Sequence, residues 1–319
     1  MATSLSPRAV VDTPRIVAPS APEQGGADWR FEPLWQVEPR RAEGHVRGGR
    51  LPADLAARFG AELTIPLRAD RPTIVANFVS TLDGVVALDR AGATGGREIS
   101  GGFEPDRFLM GLLRASADAV LVGAGTVRAS SSQDWTPGHV YPPAAAAYAA
   151  WREQLALAPT PTTVIVTGSG ALDPSQLSRL GVHAPVIFAT TARGARRLDR
   201  AGPREHAEVI VLADDGQVPV RALLQLLGDR GFQLVLSEAG PTLFGELLLA
   251  RSVNELFLTL SPQIAGRSEL SPRLGLVEGV GLAPTAAPWS RLQSVMHAAD
   301  HLFLRYRLPD TRDDLEDNR

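Results

Sequence analysis

A carboxylate and a glycine turn stand together where one apolar run of the sequence ends. The run FQLVLSE closes on Glu238, and Gly240 then precedes Pro241 at the predicted first position of a helix. Gly240 lets a ligand approach the backbone, and Thr242 and Leu243 present a hydroxyl and outward-pointing N–H groups. This pattern predicts a site for linked phosphates, although an efficient strand–helix turn has the same sequence. Glu238 can accept a hydrogen bond from a ring N–H of a heterocycle. Alternatively, it is an acidic residue at a helix N-terminus that the helix dipole stabilises.

Two further strand ends carry glycine and hydroxyl residues of the kind that bind phosphates. Gly125 and Thr126 follow the run DAVLVG, but Arg128 stands where the dinucleotide fingerprint has its third glycine. The acidic ribose ligand that the fingerprint needs about 20 residues further on is also absent. The sequence therefore does not predict an ordinary Rossmann dehydrogenase. Gly168 and Ser169, after the run TTVIVT, can hold another phosphate, although a plain turn is the simpler explanation.

The remaining candidates are amide or charged side chains, and each has a structural alternative. Asn77 lies in the strand TIVANFV, and Asp83 follows in STLDG, where it can bind a substrate or complete a turn. Arg107 and Arg114 share one side of a predicted helix, opposite its apolar face. They can meet a substrate phosphate, but periodicity alone favours a solvated position.

The composition removes several classes of chemistry. The 319-residue chain contains no Cys, and all 32 of its Lys and Arg residues are Arg. Disulfides, thiol nucleophiles, lysine Schiff bases and Walker A loops are therefore excluded. His297 and His301 have the i, i+4 spacing of metal ligands, but they flank the start of a predicted strand, so no metal site is predicted. A net charge of −3 argues against nucleic-acid binding, and the strand-length apolar runs argue against a membrane span.

Short apolar runs alternate with helical patterns along most of the chain. This order predicts an α/β fold with a mostly parallel central sheet, helices on both faces and an antiparallel C-terminal edge. Strands are predicted at 73–79, 118–123, 162–168, 185–190, 207–213, 232–238, 255–261 and 301–307. Helices are predicted at 105–117, 144–157, 192–200, 219–229 and 241–251, with residues 129–161 as an inserted excursion.

Both ends of the chain depart from this pattern. The predicted segments are a Pro- and Ala-rich, mostly disordered extension at 1–39, the main domain at 40–309 and an acidic tail at 310–319. An apolar cluster in the extension can dock on a neighbouring surface, although a packing strap is the simpler explanation; its members are Trp29, Phe31, Leu34 and Trp35. No signal-peptide-like stretch is apparent, so the cytoplasm is the expected location.

Five segments taken together resemble one known family closely. They are RPTIVANFVSTLDGVVALD, EISGG, DRFLMGLLRASADAVLVGAGTVRA, SEAGPTLFGELLLARSVNELFLTLSPQIAGR and HLFLRYRL, in that order within residues 40–308. The family is the reductase domain of bacterial riboflavin biosynthesis, and especially its stand-alone pyrimidine reductases. The resemblance implies a dihydrofolate reductase-like fold, NADPH as the cofactor and a homodimer.

The resemblance also implies roles for individual positions. Val79 and Thr126 would lie against the nicotinamide half of the cofactor, and Gly168 and Ser169 would face the adenosine 2′-phosphate. The residues that would hold the pyrophosphate are Gly240, Pro241, Thr242 and Leu243, in agreement with the helix argument above. The candidate substrate-binding residues are Asn77, Ser100, Arg114 and Glu238, with Asp83 in a segment that lines the pocket.

One stretch departs from the family pattern. Riboflavin reductases usually continue GTV with an acidic pair, a proline and L-T-x-R, whereas this chain reads RASSSQDWTPGH. Ser130 therefore stands where the family has an Asp against the cofactor, and no residue matches the family's substrate-binding arginine. The sequence leaves the physiological substrate open.

The predicted activity is transfer of a hydride from NADPH to a pyrimidine-type substrate, at a C=N or opened ribosylamine carbon. Asp83 and Glu238 are the candidate catalytic residues if the reaction needs an acid or a base. One alternative is a dihydrofolate- or pterin-type reductase, since similar pockets accept flat bicyclic rings. Another is a regulatory protein that binds NADPH without turnover.

Overall fold

Twelve strands form two sheets in the computed structural model, which describes residues 28–37, 45–88, 95–130, 134–200, 206–269, 273–285 and 287–309. The strands are β1 (Glu32–Gln36), β2 (Val46–Arg50), β3 (Glu62–Pro66), β4 (Thr73–Ser80), β5 (Ala119–Gly123), β6 (Thr162–Thr167), β7 (Val186–Thr191), β8 (Ala207–Ala213), β9 (Leu234–Ser237), β10 (Val253–Leu260), β11 (Arg291–Ala298) and β12 (His301–Arg307). β2 and β3 pair with each other, and the other ten strands form one large sheet.

Helices lie between most of the strands. They are α1 (Ala53–Phe59), α2 (Gly96–Ile99), α3 (Glu104–Ser116), α4 (Ala124–Ala129), α5 (Pro137–Val140), α6 (Ala145–Gln154), α7 (Pro174–Leu177), α8 (Ala192–Arg200), α9 (Val220–Asp229) and α10 (Pro241–Leu249). Pro105 and Pro241 lie in the first turns of α3 and α10, where a missing N–H costs no hydrogen bond. In the parts of the chain listed above, no helix has the length and apolar character needed to cross a membrane.

The large sheet has the order β1-β11-β12-β10-β4-β9-β5-β6-β7-β8. The seven strands from β10 to β8 are parallel, whereas β12, β11 and β1 pair antiparallel along the other side. Every residue of β4 is buried, as expected for a central strand with helices on both faces. The predicted fold class, a mostly parallel sheet with an antiparallel C-terminal edge, is confirmed.

The direction of the chain through the sheet changes beside β4. β5 to β8 extend the sheet outward in one direction, and β9 then returns to lie between β4 and β5. β10 follows on the other side of β4. In open α/β sheets, ligands bind beyond the carboxyl ends of the strands at such a switch point. The topology therefore places the site at the ends of β4, β5 and β9.

Within the predicted excursion at 129–161, α5 and α6 form a helical layer that packs on α3. The Tyr148 hydroxyl donates to the carbonyl oxygen of Phe108 at 2.8 Å, and the Trp151 indole donates to the Ser116 hydroxyl at 3.0 Å. The buried guanidinium of Arg152 donates to the carbonyl oxygens that end α3, those of Arg114, Ala115 and Ala117. Burial lowers the pKa of Arg152 to about 10. This layer fixes the last turn of α3, where Arg114 lies.

The aromatic residues before β1 pack against the core of the domain, as expected for a packing strap. Phe31 is buried, and the ring of Trp29 meets that of Phe108 edge-on, with centroids 5.3 Å apart. β1 itself pairs antiparallel with β11, while Leu34 and Trp35 remain exposed. The structure thus ties residues 28–37 to the domain, where the sequence predicts a mostly disordered extension. Residues 1–27 and 310–319 lie outside the described residues, and the boundary at 39/40 stays a prediction.

Candidate active site

A cavity of about 1010 Å³ opens beyond the carboxyl ends of β4, β5 and β9. Its walls come from β4, the segment 96–114, α4, the segment 134–140 and the start of α10. The predicted site residues that line it are Asn77, Val79, Ser100, Arg114, Thr126, Ser130, Gly168, Glu238, Gly240, Pro241, Thr242 and Leu243. Asp83 and Ser169 do not line it. The fold therefore brings together residues that lie more than 160 positions apart in the chain.

Arg114 and Glu238 form a bidentate ion pair in the cavity wall. Nε and Nη2 of Arg114 each donate to a different carboxylate oxygen of Glu238, both at 2.7 Å. Both side chains are more than nine-tenths buried. Nη1 of Arg114 donates to the carbonyl oxygen of Thr136, and the Glu238 N–H donates to that of Leu121. Because both oxygens of Glu238 accept from a guanidinium, the geometry favours a binding role over proton transfer.

The start of α10 faces the cavity with its backbone donors available. Gly240 is the N-cap residue, and no side chain caps the first turn. A Cβ built on Gly240 would lie 3.7 Å from the Thr126 hydroxyl, so Gly240 faces Thr126 directly. The N–H groups of Thr242 and Leu243 belong to this first turn, and both residues line the cavity. A helix start with free N–H groups is a site for anionic oxygens.

Val79 lies near the end of β4 between two neighbouring elements. Thr259 of β10 is its partner in register, and a Cβ on Gly96 would lie 3.6 Å from its side chain. Asn77 precedes it by two residues and so points to the same face of the sheet. This face presents one amide and one small apolar side chain to the cavity, which suits a flat ring stacked on the strand.

Gly168 lines the cavity at a crowded turn after β6. A Cβ on Gly168 would overlap the carbonyl oxygen of Gly216, and a Cβ on Gly170 would overlap that of Gly194. Two turns therefore meet backbone to backbone beside the cavity. Ser169 is exposed, and its hydroxyl accepts from the Ala171 N–H at 3.3 Å. The predicted contact of Gly168 and Ser169 with a 2′-phosphate stays a prediction.

Asp83 lies outside the cavity lining, in the turn after β4. Its carboxylate accepts hydrogen bonds from the Thr81 hydroxyl at 2.6 Å and from the N–H groups of Ala265 at 3.0 Å and Gly266 at 2.7 Å. These bonds, first among them that from Thr81, hold the pKa of Asp83 well below its usual range. All this geometry favours a structural role for Asp83, as the anchor of the segment 261–267, over the predicted catalytic one.

Asp106 is the residue that the sequence reasoning misses. It lies in the first turn of α3, is only 5% exposed and lines the cavity. Burial raises its pKa to about 6; the hydroxyls of Thr259 and Ser100 act against this rise, and the charge of Glu238 adds to it. Its spacing of eight residues from Arg114 puts both on one face of α3, and this spacing is the signal that was available in the sequence.

The other predicted residues occupy the cavity rim and wall. The Ser100 hydroxyl donates weakly to the Arg97 carbonyl oxygen at 3.4 Å. The Ser130 N–H donates to the carbonyl oxygen of Thr126 at 2.9 Å, at the end of α4. Besides Arg114, the arginines that line the cavity are Arg97, Arg107 and Arg128. In the described ranges, no cluster of three or more His, Asp or Glu residues is arranged to hold a metal ion. The site thus offers positive charge and backbone donors for an anionic ligand.

Sequence comparison identifies relatives over most of the chain. Residues 72–292 match the family of the RibD C-terminal domain. The chain is 30% identical over 212 residues to the 2,5-diamino-6-ribosylamino-4(3H)-pyrimidinone 5′-phosphate reductase of Methanothermobacter thermautotrophicus, covering 66% of this chain and 86% of that protein. It is 25% identical over 207 residues to the enzyme of the same name from Aquifex aeolicus, with 65% and 84% coverage.

Solved structures show the same fold. A pyrimidine reductase-like protein from Corynebacterium diphtheriae superposes with a TM-score of 0.55 at 22% identity, over 75% of this chain and 92% of that one. A deaminase/reductase from Thermotoga maritima superposes with a TM-score of 0.53 at 23% identity, over 75% of this chain and 57% of that one.

Proposed function

The chain belongs to the RibD C-terminal domain family, and we propose on this basis that it reduces a ribosylaminopyrimidine 5′-phosphate with NADPH as the hydride donor. The names of the relatives from Methanothermobacter and Aquifex support this reaction class. The cavity supports it independently, because its residues suit two anionic ligands side by side.

The residues present fit a dinucleotide. Gly240 has no side chain to fill the space before Thr126, and the uncapped first turn of α10 offers N–H groups to the linked phosphates. Val79 and Thr126 would hold the nicotinamide end on the strand side of the cavity. When bound there, the cofactor supplies a hydride to the substrate. Arg128 lines the cavity close to the turn at Gly168, since its guanidinium donates to the Ala171 carbonyl oxygen at 3.3 Å.

The opposite wall suits a heterocycle that carries several hydrogen-bonding groups. The Arg114–Glu238 pair presents charged polar atoms in a fixed orientation, and Asn77 adds an amide. Fixed polar groups of this kind orient a pyrimidine ring without having to reorganise when the substrate binds. Arg97 and Arg107 supply positive charge for the 5′-phosphate on the same side. The chain's contribution is thus to bind, orient and shield, while the cofactor carries the redox chemistry.

The observation that carries the proposal is that Gly240 and Thr126 both line the cavity and are neighbours, since a Cβ on Gly240 would lie 3.7 Å from the Thr126 hydroxyl. This supports a site in which the predicted pyrophosphate residues lie beside the predicted nicotinamide residues, although the two groups come from different parts of the chain. If the start of α10 were turned away from Thr126, its backbone N–H groups would not lie beside the position predicted for the nicotinamide ring.

A binding and turnover assay tests the proposal. NADPH, at about 100 times its Kd, should add about 2.7 kcal/mol to the free energy of unfolding. The same protein should oxidise NADPH when a ribosylaminopyrimidine 5′-phosphate is added, and not when dihydrofolate or a dihydropterin is added. Turnover with the pterin alone would favour the pterin-type reductase. Binding of NADPH without turnover would favour the regulatory alternative, and absence of binding would remove the proposal altogether.

The resemblance also implies a homodimer, which we include in the proposal. β1 is an edge of the large sheet among the described residues, and Leu34 and Trp35 on it are exposed. Sedimentation of the full chain would measure the oligomeric state, and a single monomeric species at micromolar concentration would contradict the dimer. The cytoplasmic location expected from the sequence stays a prediction.

A further inference from the structure

Asp106 stands out among the cavity carboxyls because it is buried without a cationic partner. Arg114, on the same face of α3, is fully engaged by Glu238. In the part of the chain that the structure describes, Asp106 forms no salt bridge, and Arg107 acts on it only at longer range. A buried carboxyl without a paired cation is held in its neutral form more readily than an exposed one. With a pKa of about 6, Asp106 keeps its proton to a higher pH than an ordinary aspartate, which makes it a candidate proton donor.

The surroundings of Asp106 are polar but carry little charge. The hydroxyls of Ser100 from α2 and Thr259 from β10 face it. The Thr259 side chain is buried and is not part of the cavity lining, and its hydroxyl opposes the rise in the pKa of Asp106. Glu238, at the end of β9, acts on Asp106 from another element, and its negative charge raises the pKa of Asp106.

One further titratable group lies behind this cluster. The His301 ring of β12 stacks on Phe103, with ring centroids 4.0 Å apart, and both of its ring nitrogens are buried without a partner. Burial lowers the pKa of His301, so its ring is neutral at physiological pH. His301 therefore adds no positive charge that would ionise Asp106.

Asp106 lies near the strand position that is expected to hold the nicotinamide ring. Thr259, which faces Asp106, is the register partner of Val79, the residue expected against the nicotinamide ring. Asp106 therefore lies on the side of the cavity where the substrate carbon must meet the cofactor. Glu238 is a poorer donor, because both of its oxygens already accept from Arg114.

We propose that Asp106 is the general acid that opens the ribose ring of the substrate, an inference that rests on the proposed reductase function. The bond between the anomeric carbon and the ring oxygen breaks, and the Asp106 proton moves to that oxygen, which becomes a hydroxyl. The exocyclic nitrogen lone pair forms a C=N bond to the anomeric carbon. The hydride then adds to this carbon and neutralises the positive charge, and solvent returns a proton to the Asp106 carboxylate. The sum consumes one hydride and one proton, as the reduction requires.

The test compares Asp106→Asn with Glu104→Gln in the full chain. Asn has the shape of Asp but no acidic proton, and Glu104 lies in the same helical turn without lining the cavity. For Asp106→Asn we expect kcat to fall about a hundredfold with KM little changed, because general acids contribute about that much. The decline of wild-type kcat at rising pH, which marks loss of the acidic proton, should disappear in this variant. Glu104→Gln should keep the rate and pH profile of the wild type.

A measurement on the protein without ligand separates this inference from the proposed function. A ¹³C NMR titration of the Asp106 carboxyl should give a midpoint near 6, and a midpoint near the ordinary value of 3.8 would overturn the assignment even if Asp106→Asn failed to fold. If the wild type reduces the substrate and Asp106→Asn keeps its kcat or its pH profile, the proton donor lies elsewhere. If the addition of a ribosylaminopyrimidine 5′-phosphate to the wild type leads to no oxidation of NADPH, the proposed function itself fails.

Discussion

The guanidinium of Arg114 and the carboxylate of Glu238 meet through two hydrogen bonds of 2.7 Å, although 124 residues separate them in the chain. Arg114 lies on α3 and Glu238 follows β9, so the ion pair joins these two elements in the cavity wall. The helical layer of α5 and α6 covers this wall from outside, since Arg114 also donates to Thr136. The pair therefore connects the stability of the fold to the shape of the site.

Loss of one partner should cost stability, whereas loss of both should cost mainly activity. Glu238→Gln leaves the buried Arg114 without its counter-charge, which should lower the free energy of unfolding by about 3 kcal/mol. The double variant Arg114→Met, Glu238→Leu should recover most of this loss, because apolar groups fill the space without buried charge. Its kcat/KM should nevertheless stay far below that of the wild type. Urea unfolding and steady-state kinetics measure the two effects, and a double variant less stable than Glu238→Gln would contradict this account.

Filling the space at Gly240 should block the cofactor while leaving the fold intact. A Cβ at Gly240 meets only the Thr126 hydroxyl, at an ordinary contact distance of 3.7 Å, and its φ of −65° suits alanine. We expect Gly240→Ala to weaken NADPH binding at least about tenfold, or about 1.4 kcal/mol. Gly228→Ala is the matched control, since its Cβ would also meet a neighbour, Pro72, at 3.7 Å, in a helix away from the cavity. Calorimetry that finds equal affinities for the two variants would exclude a close approach of phosphate at Gly240.

The raised pKa of Asp106 predicts a pH-dependent gain in stability when the residue is replaced. Its pKa rises from 3.8 to about 6 on folding, so the folded protein holds the proton more tightly than the unfolded chain. This contribution is complete below pH 3.8 and is lost as the pH rises through about 6. Relative to the wild type, Asp106→Asn should therefore be more stable at pH 8 than at pH 4, by up to about 3 kcal/mol. Urea titrations at both pH values measure the difference, and equal values would contradict the shifted pKa.

Removal of the Asp83 carboxylate should loosen a loop without stopping the reaction. Asp83→Ala loses the acceptor for the Ala265 and Gly266 N–H groups, so the segment next to Arg267 should open more often. Tryptic cleavage after Arg267 should then become faster, because proteolysis follows the population of the open form. Asp83→Asn keeps one acceptor oxygen and should show a smaller effect. A collapse of kcat with unchanged cleavage would instead restore the catalytic role that the sequence predicts for Asp83.

The strands and long helices were predictable because burial on both faces leaves continuous apolar runs, as in β4 and β5. All eight predicted strands and all five predicted helices are confirmed, with ends shifted by a few residues. β1 and β11 escape prediction because their sequences mix polar and apolar residues, and Pro33 argues against a strand at β1. Segments with such mixed sequences are recognised as strands only when the strand they pair with is known.

The parts of the candidate site that were predictable from the sequence are those where a ligand would lie against the backbone. Gly240, Pro241 and Thr126 carry a local signature, and all three line the cavity. Arg114 has no such signature, because helical periodicity places it with Arg107 opposite the apolar face, where solvent is the default. The structure covers that face with the layer of α5 and α6, which sequence periodicity does not reveal. Asp106 was missed for the same reason, since an acidic residue in a first helical turn also fits the helix dipole.

The contact of Gly168 with Gly216, and of Gly170 with Gly194, limits how this end of the cavity can be redesigned. A Cβ at Gly168, Gly170 or Gly194 would overlap neighbouring atoms, and Gly216, where a Cβ would meet nothing, has a φ of +79° that other residues rarely adopt. Substitution is therefore restricted at all four positions. In the proposed binding mode, a change of preference between phosphorylated and unphosphorylated adenosine would come from side chains near this turn that can vary, among them Ser169 and Gln217. A library at those two codons would therefore test the cofactor preference without disturbing the crowded backbone.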